Sequence, residues 1–406
     1  MSATIKDIAK MVGVSPSTVS RVINGTAPIS DEVSAKIQKA MEELDYHPNA
    51  RARSFATGMT NTVGLVVDAS NEAIFSNSFF NRSVYAIEKV AQQNSYNLII
   101  TNGNLKKSSQ LTEQNNKKTS QLAEQNNEKS SPVVELIYEK KVDGLIVPPS
   151  SLDDGLFYIL KKEKFPFVCL GQPDRDDTEI SWVDIDNSQG ARQGVEHLRE
   201  EGFERIVLVI DEDDNIFSRK RVEGYQEAIR DYCEPCVIKA HYDYEQLPAL
   251  IRAAIPFGQS GLGQTEVSQP GTSQAKTKAG TKPGTSQAGT KPATKPGTSQ
   301  AGTKVGTKPG ICRTAFLCSS NDLAFHTLKT LQKDGILIPD QAGIVTFDNY
   351  PIAEYMEPQL SAIDVDTCLL GQKAAELLLR ILRGDASTEH ELIPTALIAR
   401  GSSLTR

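Results

Sequence analysis

The sequence lacks any run of about 18 consecutive apolar residues, so none of its helices is expected to cross a membrane. No charged segment followed by an apolar one opens it, so no secretory signal is expected and the cytoplasm is the expected compartment. Cysteine is scarce, with six in 406 residues, which points to reduced, small apolar side chains rather than a disulfide framework. The one CxxC, Cys233 to Cys236, has no second pair to complete a zinc site and no thioredoxin-like context, so its expected role is structural. Asp211, Asp213 and Asn215 begin like a calcium loop, but Ile216 stands where glycine is required and Val222 where the bidentate glutamate belongs. P-loop and GxGxxG patterns are absent, and His197 has no nucleophile motif beside it. No metal, no cofactor and no catalysis are therefore expected. A basic excess is missing too: the net charge is −7 and the pI is near 5.5.

What the chain does have is a distinctive beginning, residues 1–57. Thr4 with Asp7 three residues on is a helix start, and Ile5, Ile8, Ala9 and Val12 form one apolar stripe that Gly13 ends. Ser15 caps a second helix with Pro16 at its first position, and Asn24-Gly25 stops it. Ser30 caps a third, whose Val33, Ile37, Ala40, Met41 and Leu44 close a small core. Two helices joined by a tight turn and braced by a third make a helix-turn-helix. Its second helix would turn Ser15, Pro16, Ser17, Thr18, Ser20, Arg21 and Asn24 toward the DNA major groove, with Arg21 able to fork onto guanine. An ordinary small bundle with a polar face is the plain alternative. Residues 1–60 hold seven Lys/Arg against six Asp/Glu, so counterion release is weak and two headpieces acting together are expected, hence a homodimer.

Thr4-Ile-Lys-Asp-Ile-Ala9, Gly13-Val-Ser15, Thr18 to Gly25 and Tyr46-His-Pro-Asn-Ala50 resemble the lactose-repressor (LacI) family of bacterial regulators. That resemblance adds Thr4, Ile5, Lys6, Ser30, Tyr46, Asn49 and Ala52 to the DNA-facing set. It also implies a hinge helix over about 49–57 that orders on operator DNA and wedges a leucine into the minor groove. Here the matching residue is Phe55, an accepted wedge in its own right.

From Val63 onward short apolar runs alternate with amphipathic segments, the pattern of parallel sheets covered by helices. Strands are expected at 63–67, 98–100, 144–147, 167–170, 206–210, 315–318, 344–347 and 395–399. Helices are expected at 79–93, 133–139, 152–162, 187–201, 219–232, 322–334 and 368–382. The fold class is α/β: an all-α headpiece and, over 62–406, two doubly wound lobes with a ligand cleft between them. Two stretches break the pattern. Residues 105–131 carry a near-duplicate of 11-residue period, and 258–310 hold 11 Gly, five Pro, seven Lys and no aromatic residue, a composition that favours an extended loop.

The body also resembles the family's periplasmic-sugar-binding type of core, through Gly190, Gly194-Val-Glu-His-Leu198, Arg221-Val-Glu-Gly-Tyr225, Ser320-Asn-Asp322 and Phe347-Asp-Asn349. By that resemblance Arg221, Asn321 and Asp348 hold sugar hydroxyls, Tyr244 stacks on the sugar, and Asp68 joins from the opposite lobe. The resemblance implies a repressor of a carbohydrate-utilisation operon, acting on near-palindromic operator DNA and answering to a small sugar or sugar phosphate. Lys164-Phe-Pro-Phe167 and Val183-Asp-Ile-Asp-Asn187 are most similar to maltose-operon repressors of Gram-positive bacteria. A global carbon-catabolite regulator with a phosphorylated carrier protein as corepressor is the alternative.

Overall fold

The computed structural model describes residues 3–25, 27–47, 58–67, 78–103, 131–175, 178–241, 243–256 and 312–405. The expectations for the hinge (including Asn49, Ala52 and Phe55), for Asp68, and for residues 105–130 and 258–310 lie outside the described residues.

Three helices form the headpiece: α1 (Ile5–Val12), α2 (Pro16–Asn24) and α3 (Asp31–Glu43). The Asp7 carboxylate accepts from the Thr4 N–H at 2.9 Å and its hydroxyl at 2.7 Å, which fixes the start of α1 and holds the Asp7 pKa below its ordinary value. Ser15 does the same for α2, its Oγ accepting from the Thr18 N–H at 3.1 Å. Gly13 and Gly25 end α1 and α2 in the left-handed region, at φ 77° and 63°, where a side chain would be strained. Ile8, Ala9, Val19, Ile37 and Ala40 are buried between the three helices. So small a core is marginal by itself.

The first lobe contains β1 (Thr62–Val67), α4 (Ser78–Gln93), β2 (Asn97–Asn102), α5 (Pro132–Tyr138), β3 (Gly144–Val147), α6 (Asp154–Lys162), β4 (Phe167–Leu170) and β5 (Trp182–Ile185). The second contains α7 (Asn187–Glu200), β6 (Arg205–Asp211), α8 (Ile216–Ile229), β7 (Cys236–Ala240), α9 (Leu247–Ala254), β8 (Thr314–Cys318), α10 (Asn321–Lys333), β9 (Ala342–Phe347) and β10 (Ser361–Val365). The chain then returns to the first lobe as α11 (Thr367–Arg383) and β11 (His390–Ile393), and ends in the second with β12 (Thr395–Ile398). The strand orders are β11-β5-β4-β3-β1-β2 and β12-β10-β9-β8-β6-β7. Ser131, at the edge of the first low-complexity stretch, is buried at the N-terminal cap of α5.

The parallel-sheet expectation needs one correction, because β12 pairs antiparallel with β10. The cause is the connectivity. The chain crosses between lobes three times, after β5, after β10 and between β11 and β12. Strand β10 runs out of the second lobe and β12 runs into it from the first, so the two neighbours point opposite ways. Strands β5 and β11 both leave the first lobe and therefore pair in parallel.

Each sheet is buried on both faces, by α4 and α11 against α5 and α6 in the first lobe and by α9 and α10 against α7 and α8 in the second. Strands so enclosed read as continuous apolar runs, as Val207, Leu208 and Val209 of β6 do. At two places helices approach more closely than any side chain permits. A Cβ on Gly371 of α11 would lie 2.4 Å from the Ser83 carbonyl oxygen of α4, and one on Gly224 of α8 would lie 2.2 Å from the Ser188 oxygen of α7.

The segment after β12 docks on α7 through a buried polar chain. His197 Nε2 lies 2.6 Å from the Ser403 hydroxyl, which lies 2.6 Å from that of Ser361. Burial lowers the His197 pKa from its ordinary 6.5, against the opposing pull of Glu201 and Glu200. A histidine with a lowered folded pKa binds its proton first in the unfolded chain, so its contribution is intact above pH 6.5 and is lost as the pH falls through that value. Melting curves from pH 8 to pH 5 are expected to show a steeper loss below about 6.5 in the wild type than in His197→Gln. Parallel curves would leave the histidine without this role.

Candidate ligand cleft and DNA-binding headpiece

The chemistry of the body gathers where the ends of β5, β6, β8 and β9 meet α8 and α10. Arg221, on the second turn of α8, is 7% exposed, its guanidinium held by protein acceptors. Its Nε donates to Asn187 Oδ1 at 2.8 Å, Nη1 donates to the Ser319 carbonyl, and its carbon lies 4.0 Å from the centre of the Phe347 ring. Burial lowers the Arg221 pKa, and Asp348, Asp184 and Asp211 act in the other direction.

Asp348 follows β9 in the left-handed region at φ 64°, a conformation aspartate tolerates better than most residues. Its Oδ1 is buried without a hydrogen-bond partner, and burial raises its pKa despite the attraction of Arg221. Asn321, at the start of α10, spends its amide on the carbonyls of Phe347 (3.2 Å) and Asp348 (2.7 Å). Its Oδ1 is likewise buried and unpartnered. Tyr244, also left-handed at φ 55°, donates its hydroxyl to Asp211 Oδ1 at 3.1 Å and sets its ring 4.8 Å from that of His326. Burial raises the pKa of both Tyr244 and Asp211. The left-handed backbone of Tyr244 and Asp348 is one that the surrounding structure must hold in place.

The structure thus gathers Arg221, Asn321 and Asp348, places Tyr244 beside them through Asp211, and adds a residue that sequence reading missed. Asp184 reaches Arg221 electrostatically from β5 of the first lobe, its oxygens held by the N–H groups of Gln172 (3.0 Å) and Ile185 (2.7 Å). Burial raises its pKa. Its signal in the sequence was a charge inside the apolar strand Trp182-Val-Asp-Ile185.

The lobes also touch at the surface. Arg219 Nη2 lies 2.6 Å from Asp174 of the first lobe while Nη1 lies 3.2 Å from Asp214 of the second. Water screens so exposed a pair, and Arg219→Ala is expected to shift ligand affinity by less than about fivefold. A calorimetric change of fiftyfold would make it a principal latch.

Gly224 lies one turn beyond Arg221 and lets α8 approach α7 closely enough for Arg221 to reach Asn187. Because a Cβ there meets backbone rather than a flexible side chain, Gly224→Ala is expected to cost about 1–3 kcal/mol and to weaken ligand binding as well. An unchanged urea midpoint would show that the helices part at no cost.

In the headpiece, Lys6, Ser15, Pro16, Ser17, Arg21 and Ser30 are exposed, and Thr18 and Ser20 are half-buried. Asn24 donates to the Ser20 hydroxyl at 3.2 Å, which ties these two polar groups together. Thr4 is exposed but bound to Asp7, and Ile5 and Tyr46 pack half-buried against the small core, so these three support the headpiece itself. Lys36 and Lys39 pair with Glu32 and Glu43 along α3, which leaves positive charge concentrated on α1 and α2.

A helix-turn-helix joined to a two-lobed α/β core with a polar, partly unsatisfied interlobe site defines the class: a DNA-binding module coupled to a core of the periplasmic-binding-protein type. Three family models match in turn. They are described as "Bacterial regulatory proteins, lacI family" over residues 4–49, "Periplasmic binding proteins and sugar binding domain of LacI family" over 60–254, and "Periplasmic binding protein-like domain" over 259–403. The chain belongs to the LacI family of transcriptional regulators, which are not enzymes.

Among its relatives is the HTH-type transcriptional regulator MalR of Streptococcus pneumoniae, 34% identical over 57% of this chain and 64% of that one. The match thus spans under two thirds of MalR. HTH-type transcriptional regulator CelR of Thermobifida fusca is 24% identical over 98% of each chain. The crystal structure of the lac repressor dimer bound to operator and an anti-inducer shares the fold, with a TM-score of 0.66, 21% identity and 100% coverage of both chains.

Proposed function

We propose that this chain is a homodimeric, sequence-specific transcriptional repressor of a carbohydrate-utilisation operon, controlled by a small sugar in the interlobe cleft. The carrying observation is the pair of buried oxygens without donors, Asp348 Oδ1 and Asn321 Oδ1, beside the guanidinium of Arg221. Buried acceptors left unpaired cost about 1–3 kcal/mol each, and a ligand presenting hydroxyl groups relieves that cost. Similarity to MalR favours a maltose-type sugar. Maltose is therefore the first effector to test.

Ligand and DNA are coupled through the segment between headpiece and core. A sugar that prefers one lobe arrangement shifts the equilibrium toward it and changes operator affinity, and the effect is reciprocal. Phe55 is proposed as the wedge at the operator centre, where an inserted ring unstacks a deformable pyrimidine–purine step. The test selects bound duplexes from a random pool and then titrates sugars against the complex by fluorescence anisotropy. A near-palindromic consensus whose complex one sugar dissociates is the expected result. No sequence preference, or a preference that no sugar alters, would refute it.

A further inference from the structure

We propose that the cleft selects an uncharged, hydroxyl-donating sugar and rejects phosphorylated or carboxylated ones, with Asp184 of the first lobe and Asp211 of the second as the residues that enforce this. The inference rests on the sugar-regulator reading and narrows its ligand class.

Hydrogen-bond inventory is the first argument. Two arms of Arg221 are already committed to Asn187 and Ser319, and the Asn321 amide is committed to two carbonyls. Among its buried side-chain atoms, the ones the site leaves unsatisfied are acceptors, Asn321 Oδ1 and Asp348 Oδ1. A sugar hydroxyl donates to either, whereas an ionised phosphate or carboxylate brings mainly more acceptors.

Charge is the second argument, and it points the same way. Against the one guanidinium stand three carboxylates, Asp348, Asp184 and Asp211, and Asp213 and Asp322 add to the negative field around Asp211. The site already holds its carboxylates at a cost, since burial raises the pKa of all three. An anion placed among them meets repulsion that low-dielectric surroundings strengthen. Asp184 cannot swing aside, because two backbone N–H groups fix its oxygens, and Asp211 is held by the Tyr244 hydroxyl.

Calorimetry on the full-length protein tests this with matched pairs: glucose and glucose 6-phosphate, trehalose and trehalose 6-phosphate, maltose and maltose 6′-phosphate. In any pair that binds, the neutral sugar is expected to bind at least about tenfold more tightly, and Asp184→Asn and Asp211→Asn are each expected to narrow that gap. A phosphorylated sugar binding as tightly as its parent overturns the proposal and leaves the sugar-regulator reading standing. A gap unchanged in both variants overturns the assignment to these carboxylates. If neither member of any pair binds, the sugar-regulator reading fails and the proposal falls with it.

Discussion

An Arg221→Ala protein is expected to remain on its operator at sugar concentrations that release the wild type, and to lose about 3 kcal/mol or more of stability. Both effects come from one guanidinium. On the ligand side, the substitution removes the cleft's buried cation and the surface it stacks against Phe347. On the stability side, it strands the Ser319 carbonyl and Asn187 Oδ1 and leaves Asp348 without its neighbouring positive charge. Arg221→Lys separates the two. It restores charge but not the planar fork, so much of the stability is expected to return while the sugar response does not. Denaturant midpoints and operator titrations with and without sugar, run on both variants, decide the matter. Sugar affinity in Arg221→Lys within about threefold of wild type would remove Arg221 from the ligand site.

That expectation is also where sequence and structure differ most usefully. The resemblance marks Arg221 as a ligand residue, but its spacing gives no sign that it also ties α7 to α8. The headpiece was legible nearly to the residue, because its caps are side-chain signals local in sequence: Thr4 with Asp7, Ser15 with Pro16, Gly25 after Asn24. The long strands and helices of the lobes were legible for a related reason, as unbroken apolar runs and 3.6-residue stripes. Strands β5, β7, β10 and β11 and helix α9 were not. Each of these strands is four or five residues long, and β5 and β10 carry an aspartate, Asp184 and Asp364, that interrupts the apolar run. The antiparallel β12 was hidden too, since its direction follows from which lobe the preceding strand occupies. Asp184 escaped notice for the same reason as its strand: a charge in a short apolar segment reads as a break until the opposite lobe supplies its partner.

Arg21→Ala is expected to abolish sequence-specific binding while leaving the fold and the sugar site unchanged. Arg21 is exposed on α2, and no ion-pair partner holds it among the described residues. Its side chain therefore contributes little to the headpiece, whose core is Ile8, Ala9, Val19, Ile37 and Ala40. On DNA a bidentate arginine–guanine contact is worth about 1–3 kcal/mol of discrimination. The proposed homodimer on a near-palindrome makes the contact twice, so the loss amounts to about 2–6 kcal/mol, or roughly thirtyfold to more than ten-thousandfold in affinity. Non-specific binding loses one cation per headpiece and is expected to fall far less, with the salt slope reduced by about two for the dimer. Lys6 controls for that electrostatic part, because it is exposed on α1 and carries the same charge. Lys6→Ala is expected to weaken operator and random duplexes about equally, whereas Arg21→Ala weakens the operator far more than the random duplex, to near the random level. Anisotropy titrations with the selected operator and a scrambled duplex at two salt concentrations make the comparison. Equal losses on both duplexes for Arg21→Ala would show that Arg21 touches phosphate and that another residue of α2 reads the bases.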